Sequence, residues 1–505
     1  MFWLNKIVDD ILAAHPEGEV VVESGSAPSG SYHIGHLREI VTCDAIVREL
    51  QKRGRQAKHI HFSDDLDGLR KIPLNVPPDF EKFLGQPLCD IPAPDGSEGS
   101  YAEYFLQDFI RSADRLGIKM EVIRSHEKYR AGFFIPAIEK ALENIPKVKT
   151  ALESIAGRKL ADDYSPIQIN EEGYLKKRTF VSLDKEKKTV NYLDKDEHQQ
   201  QISYADGKVK LDWRLDWPAR WWLLNVQVEP FGRDHASSGG SYATGAAICR
   251  EVFEHEPPMP VPYDFINQAG DTKKMSASKG TGIDAAEAVE VLPPEILRFF
   301  ILQYPPQKRL YFDSEQGISK LIDEFAEIMA NDPDAQILYL ARAGLDPIVS
   351  RIPFTHLVAS YQGALKDIDK TLEILSRTEY QDVISQNPQI IREELKYIDK
   401  WLEKWAPEEL RFNLIEELEL SKFSDSEKSY LSRLADKIAE APENADGEWF
   451  HKAIYSFKET DNLSPQQLFG PLYRALIGKE AGPRAGWFLS ILPRQWLIKR
   501  LRLEA

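Results

Sequence analysis

Residues 20–55 read VVVESGSAPSGSYHIGHLREIVTCDAIVRELQKRGR. The apolar run Val20–Val22 stops at Glu23, and Ser24, Gly25, Ser26, Pro28, Ser29 and Gly30 supply turn chemistry before any helical pattern begins. His33 and His36 then fall at a helix start. Ile40, Cys43, Val47 and Leu50 recur at helical spacing as one apolar stripe, with Arg38, Glu39, Arg48 and Glu49 off it. Gly54 is a stop signal, and Ala57–Phe62 reads as the next strand. Strand, glycine-containing loop, helix and strand together form the first unit of a nucleotide-binding parallel sheet.

A helix start favours an anion, because its first N–H groups are unpaired and the macrodipole is positive there. His33 and His36 add two imidazoles at that point, and Gly35 leaves room above the helix for a flat base or ribose. Either histidine alone also reads as a capping or core residue. What tilts the reading toward a nucleotide is the string H-I-G-H placed after a strand and a P-S-G turn.

That string resembles the HIGH signature of the class I aminoacyl-tRNA synthetases. The resemblance implies a second signature, the K-M-S-K-S loop, late in the catalytic domain, and the chain has Lys273-Lys-Met-Ser-Ala-Ser-Lys-Gly280, roughly 240 residues further on. The strings PSGSYHIGHLRE, HIHFSDDLDGLRK, LDWRLDWPARW, FGRDH and KMSASKG are similar, in order, to the class I form of lysyl-tRNA synthetase, from about Glu23 to about Phe312. The implied activity is adenylation of L-lysine with ATP and Mg²⁺, then transfer to tRNA(Lys).

Family resemblance also implies residue roles. His33, His36, Lys274 and Ser276 are the catalytic set. ATP falls to Pro28, Gly30, His33, Gly35, His36, Lys274, Met275 and Lys279, with Ala277 standing where the loop usually has its second lysine. Lysine falls to Glu23, Gly25, Ala27, Trp213, His235 and Tyr263. In the related glutamyl-tRNA synthetases an arginine occupies the place of Glu23 and grips a carboxylate; an acid there suits a cationic substrate. Glu23 also reads as a partner for a nearby arginine such as Arg38. Rival readings are a synthetase paralogue with another amino acid or acceptor, and a catalytically inactive tRNA-binding protein.

Working outward, 505 residues point to about three domains. The fold expected is a Rossmann-type α/β catalytic domain split by an inserted α+β subdomain, followed by an all-α anticodon-binding region. The boundaries are 1–95 and 211–283 for the two catalytic halves, 96–210 for the insertion, 284–318 for a stem-contact helical element and 319–505 for the helical region. The first fifteen residues read as an amphipathic helix with Phe2, Trp3, Ile7, Ile11 and Leu12 on one side. Asp64, Asp65 and Asp67 form an acidic cluster at a strand's C-terminal end, suited to Mg²⁺ or ribose hydroxyls or simply to solvent. The insertion lacks the paired C-x-x-C knuckles of its relatives, so no structural zinc and no metal ligand set is expected.

A net charge of −16 does not favour a polyanion partner, yet a local patch suffices for tRNA, and Arg484, Arg494, Lys499, Arg500 and Arg502 are one candidate. The same five residues also read as a solvated helix face. Trp449, Phe450, Tyr455 and Trp487 could stack on unpaired bases, with core packing the blander reading. Three scattered cysteines and an acidic N-terminus without an apolar core point to a cytoplasmic protein with no membrane association, taken as a monomer.

Overall fold

The structure is a computed structural model that describes residues 1–505 except 158, 238, 271–281, 483 and 505. The chain divides into two compact units. One comprises Met1–Val289, Leu297–Phe312 and Tyr339–Leu345, the other Glu290–Ile296, Asp313–Leu338 and Asp346–Ala505.

The first unit is built on a five-stranded parallel sheet in the order Met259–Tyr263, Val228–Gly232, Val20–Ser26, Ala57–Ser63, Glu121–Arg124. Chain order reverses across the first strand: Ala57–Ser63 lies on one side of it and Val228–Gly232 on the other, pairing Val22 with Val228. Such a switch point opens a crevice at the carboxyl ends of the two central strands. After Glu121–Arg124, which the sequence placed in the insertion 96–210 but which is an edge strand of this sheet, come two three-stranded antiparallel sheets and three short helices, Ser125–Arg130, Ile135–Glu143 and Ile145–Ala156. One hydrophobic cluster runs from Val21 and Phe62 of the sheet through Trp217 and Trp221 to Val190 and Tyr192 of the insertion.

The strand Val20–Ser26 is longer than the apolar run suggested, because a full parallel register with Ala57–Ser63 holds Ser24, Gly25 and Ser26 extended. The helix Ile34–Lys52 buries Arg38 and Glu49 as well as its apolar stripe. It is covered on more than one side, which an amphipathic reading does not foresee. Arg38 reaches the carbonyls of Phe265, Pro306 and Lys308, not Glu23. At the N-terminal helix, Phe2–Ala14, the buried residues are Leu4, Val8 and Ile11, while Phe2 is 87% exposed. The expected stripe is therefore rotated by part of a turn.

The second unit is helical. Gly317–Asn331, Pro388–Lys404, Asp425–Ala439, Gly447–Asp461 and Pro465–Ile477 agree with the periodicity to within a few residues. Ser424 and Ser464 cap two of these with reciprocal capping boxes. Phe354–Gly363 and Ile368–Leu375 are separate helices, as are Ala485–Ser490 and Arg494–Leu501, the last beginning after Pro493. Leu431, Leu434, Ile454, Leu472, Leu489 and Leu501 belong to a core of this unit's own. Among the described residues, no helix is long and apolar enough to cross a membrane.

Candidate active site

The HIGH segment makes its own cap. His33 precedes the helix in an extended conformation, its Nδ1 accepts from Gly35 N at 3.0 Å, and its backbone N–H donates to His36 Nδ1 at 3.1 Å. This is a capping box with imidazoles in place of the usual hydroxyl and carboxyl. The rings lie 4.1 Å apart between centroids. A Cβ on Gly35 would stand 2.7 Å from His33 Cε1, so the space above the helix start is taken by the capping imidazole and is not left open for a base. The segment that follows residues 271–281 returns to this helix: Ile34 N donates to Ile283 O at 3.0 Å and Ala285 N to Tyr32 O at 2.8 Å.

A cavity of about 670 Å³ opens at the switch point. The first strand contributes Gly25 and Ser26, the following turn Ala27 and Gly30, the helix start His33, Gly35, His36 and Glu39. Across the crevice stand Trp213, Trp217, Arg220, Glu229, Phe231, Asp234, His235 and Tyr263. Of the expected residues, the structure thus brings together Gly25, Ala27, Gly30, His33, Gly35, His36, Trp213, His235 and Tyr263 on one wall system. Pro28 is buried beneath the turn and is not on the wall. Lys274, Met275, Ser276, Ala277 and Lys279 lie outside the described residues.

Glu23 is fully buried behind the wall, not on it; its Oε1 lies 3.7 Å from Arg220 Nη1, and neither carboxylate oxygen has a hydrogen-bond partner. Burial pushes its carboxyl up to about 8 despite the nearby guanidinium. The carboxylate that does reach the cavity next to Tyr263 is Glu39. It accepts from Gly25 N at 2.9 Å and from the Tyr263 hydroxyl, and burial raises it to about 7. Sequence reasoning placed Glu39 only as an off-stripe polar residue. The available signal was its position one helical turn inside the HIGH start, on the side of the two histidines.

Acids of the S-D-D-L-D string are taken up by the protein itself. Asp64 accepts from Arg220 Nη2 at 3.0 and 3.2 Å, Asp65 from His126, and Asp67 pairs with Lys210 at 3.0 Å. Each of the three acids thus has a partner within the protein, and Asp64 alone among them lines the cavity. Among the described residues, the sole trio of acidic and histidine groups close enough to share an ion is Asp194, Asp196 and His198, on a hairpin turn away from the cavity wall.

Beneath the floor, Ser24 Oγ lies 2.8 Å from His59 Nε2 and 2.9 Å from His61 Nδ1, and Ser26 Oγ lies 3.2 Å from His61 Nε2. Burial lowers His59 to about 4 and His61 to about 3, so both stay neutral and serve as fixed hydrogen-bonding partners. Trp213 and Trp217 stack at 5.4 Å and each meets His235 at 5.5 Å, which makes a flat apolar side to the cavity.

In the helical unit the basic tail is largely consumed internally. Arg500 is buried and bonds the carbonyls of Ala475, Glu416 and Ile415; Arg494 bonds those of Ala441 and Pro442; Arg502 pairs with Asp436 at 2.8 Å. These contacts narrow the patch reading to Arg484, Lys499 and Arg502, which are exposed, the last already paired. Phe450 is core, whereas Trp449, Tyr455 and Trp487 are half-buried.

A parallel sheet with its ligand crevice at the switch point, bounded by a histidine-capped helix start, defines a nucleotide-binding catalytic unit of the HIGH class. Residues 1–337 match the family described as tRNA synthetases class I (K), and residues 391–504 match the anticodon binding domain. The chain is 37% identical to lysine–tRNA ligase 1 of Methanosarcina acetivorans, covering 99% of this chain and 98% of that protein. It is 35% identical to the lysine–tRNA ligase of Archaeoglobus fulgidus, over 99% of each. A solved glutamate tRNA ligase from Elizabethkingia meningosepticum aligns with a TM-score of 0.48 and 12% identity, over 96% of this chain and 98% of that one. The chain belongs to the class I aminoacyl-tRNA synthetases, in the group designated K.

Proposed function

We propose that this chain is a lysine–tRNA ligase, which activates L-lysine with MgATP to lysyl-adenylate and transfers the lysyl group to tRNA(Lys). Full-length similarity to two archaeal lysine–tRNA ligases supports the activity. The observation that carries the substrate is Glu39: a carboxylate at the cavity wall, bonded to Gly25 N and Tyr263, in a pocket with two stacked tryptophans. Tryptophan faces suit four methylenes, and a buried carboxylate suits the ammonium that ends them.

In this reading Gly25 and Ala27 frame the amino acid's backbone, Trp213 and His235 flank its chain, and Tyr263 orients Glu39. Glu23 acts from behind the wall, held with Arg220. ATP lies along Gly30 and the His33–His36 helix start, and Lys274, Met275, Ser276 and Lys279 approach its phosphates. A carboxylate oxygen of lysine forms the bond to the α-phosphorus as the bond to the departing pyrophosphate oxygen breaks. Positioning and charge stabilisation do most of the work. The family match of residues 391–504 supports an anticodon reader in the helical unit. Three free cysteines and no helix able to cross a membrane, among the described residues, support a cytoplasmic enzyme.

Amino-acid-dependent pyrophosphate exchange, run over a full amino-acid panel with and without tRNA, tests the activity and the substrate together. Exchange with lysine is expected. Exchange with a different amino acid alone would keep the chemistry and discard the substrate; silence under every condition would leave a binding protein.

A further inference from the structure

Glu229 sits on the strand Val228–Gly232, lines the cavity and is 2% exposed. Its Oε1 accepts from the Trp217 indole at 2.8 Å, while its Oε2 is buried with no hydrogen-bond partner. The register Val22 opposite Val228 places Glu229 beside Glu23 on the neighbouring strand. Glu23 has Arg220 within 3.7 Å, whereas Glu229 has no cation at ion-pair distance among the described residues. Burial and the Glu23 charge push its carboxyl well above the usual range. A buried carboxylate oxygen left without a donor is costly unless something else occupies it.

Other carboxylates of the wall are already engaged. Both oxygens of Glu39 take donors, from Gly25 and Tyr263, and both oxygens of Asp64 take Arg220. An alkylammonium carries three N–H donors and needs several acceptors once it leaves water. Glu39 supplies part of that set. Trp217 and Phe231, whose rings meet at 5.6 Å, form an apolar side beside Glu229 along which a methylene chain can lie.

We propose that Glu229 is a second specificity carboxylate of the amino-acid pocket, its unpaired oxygen Oε2 accepting a hydrogen bond from the side-chain ammonium of the substrate. This rests on the lysine reading given above. Trp217 acts as its positioning residue, since the indole holds Oε1 and leaves Oε2 as the oxygen without a donor.

The test is Glu229→Gln in the full-length enzyme. With its oxygen kept on the Trp217 indole, the new amide places an NH₂ where Oε2 stood, donor against donor. KM for lysine in pyrophosphate exchange should rise roughly 10- to 100-fold, while KM for ATP stays within about twofold. Inhibition by norleucine, which has lysine's chain without the ammonium, should stay within about twofold, because a lost charge contact does not touch the chain. Glu229→Asp, which keeps the charge, should recover part of the lysine affinity. Equal losses for lysine and norleucine would reduce Glu229 to a packing role, and unchanged lysine KM in both variants would remove it from the pocket. Absence of lysine-dependent exchange in the unmodified enzyme would instead discard the lysine reading itself, before any variant is compared.

Discussion

Glu39 is the residue on which substrate choice is expected to turn. Replacing it with glutamine keeps the bonds to Gly25 and Tyr263 within reach and removes the charge. Truncating one partner of a buried charge pair costs about 2–5 kcal/mol, so Glu39→Gln should raise KM for lysine by roughly 30-fold or more with KM for ATP little changed. Parallel exchange kinetics in the two substrates check this, and equal effects on both would remove Glu39 from the amino-acid site. The same group predicts a pH dependence with a definite sign. Its folded value is about 7 against an ordinary 4.5, so the ligand-free protein holds a proton on Glu39 that the unfolded chain has released. Stability therefore falls as pH rises from about 4.5 through 7, while the ionised form that pairs with an ammonium becomes populated over the same range. Lysine affinity should strengthen by up to about tenfold per pH unit below 7 and level off above it. Titration calorimetry from pH 6 to 8 measures it; a flat profile would place the ammonium on another group.

At the scale of an element, the helix Ile34–Lys52 carries its function in its first turn. His33 and His36 both cap the helix and line the cavity, so the capping reading leaves the proposed ligand-binding role open to the same geometry. Gly35 is required because the His33 ring folds over it. Gly35→Ala should displace that ring, cost about 1–2 kcal/mol of stability through the lost cap, and lower kcat more than it raises KM for either substrate. Denaturant melts with exchange kinetics would show it, and an alanine variant with unchanged kcat would mean that the imidazole position is immaterial to the reaction. Helix and cap were legible in the string itself. That the ring, not the nucleotide, fills the space above Gly35 was not, since a rotamer is chosen by hydrogen bonds to the backbone it folds over.

At the scale of the whole molecule, each of the two compact units has hydrophobic packing of its own. Heat should therefore unfold the protein in more than one step, with lysine plus ATP raising the transition of the first unit by linkage, about 2.7 kcal/mol at a hundredfold excess over Kd, and leaving the other unmoved. Scanning calorimetry with and without substrates decides it; a single transition shifted as one would show a cooperative chain. The sequence by itself determined the class of fold, the helix start that borders the cavity and the helical character of the C-terminal region, because period, turn residues and the HIGH string are local and written in consecutive positions. Only the tertiary structure decided which acids line the cavity. Glu23 retreated behind the wall with Arg220, Asp65 and Asp67 went to His126 and Lys210, Asp64 came to the wall held by Arg220, and Glu39, Glu229 and Asp234 line the cavity as well. A carboxylate's role depends on which cation and how much water stand near it, and both are set by residues that the sheet order brings together from opposite halves of the chain.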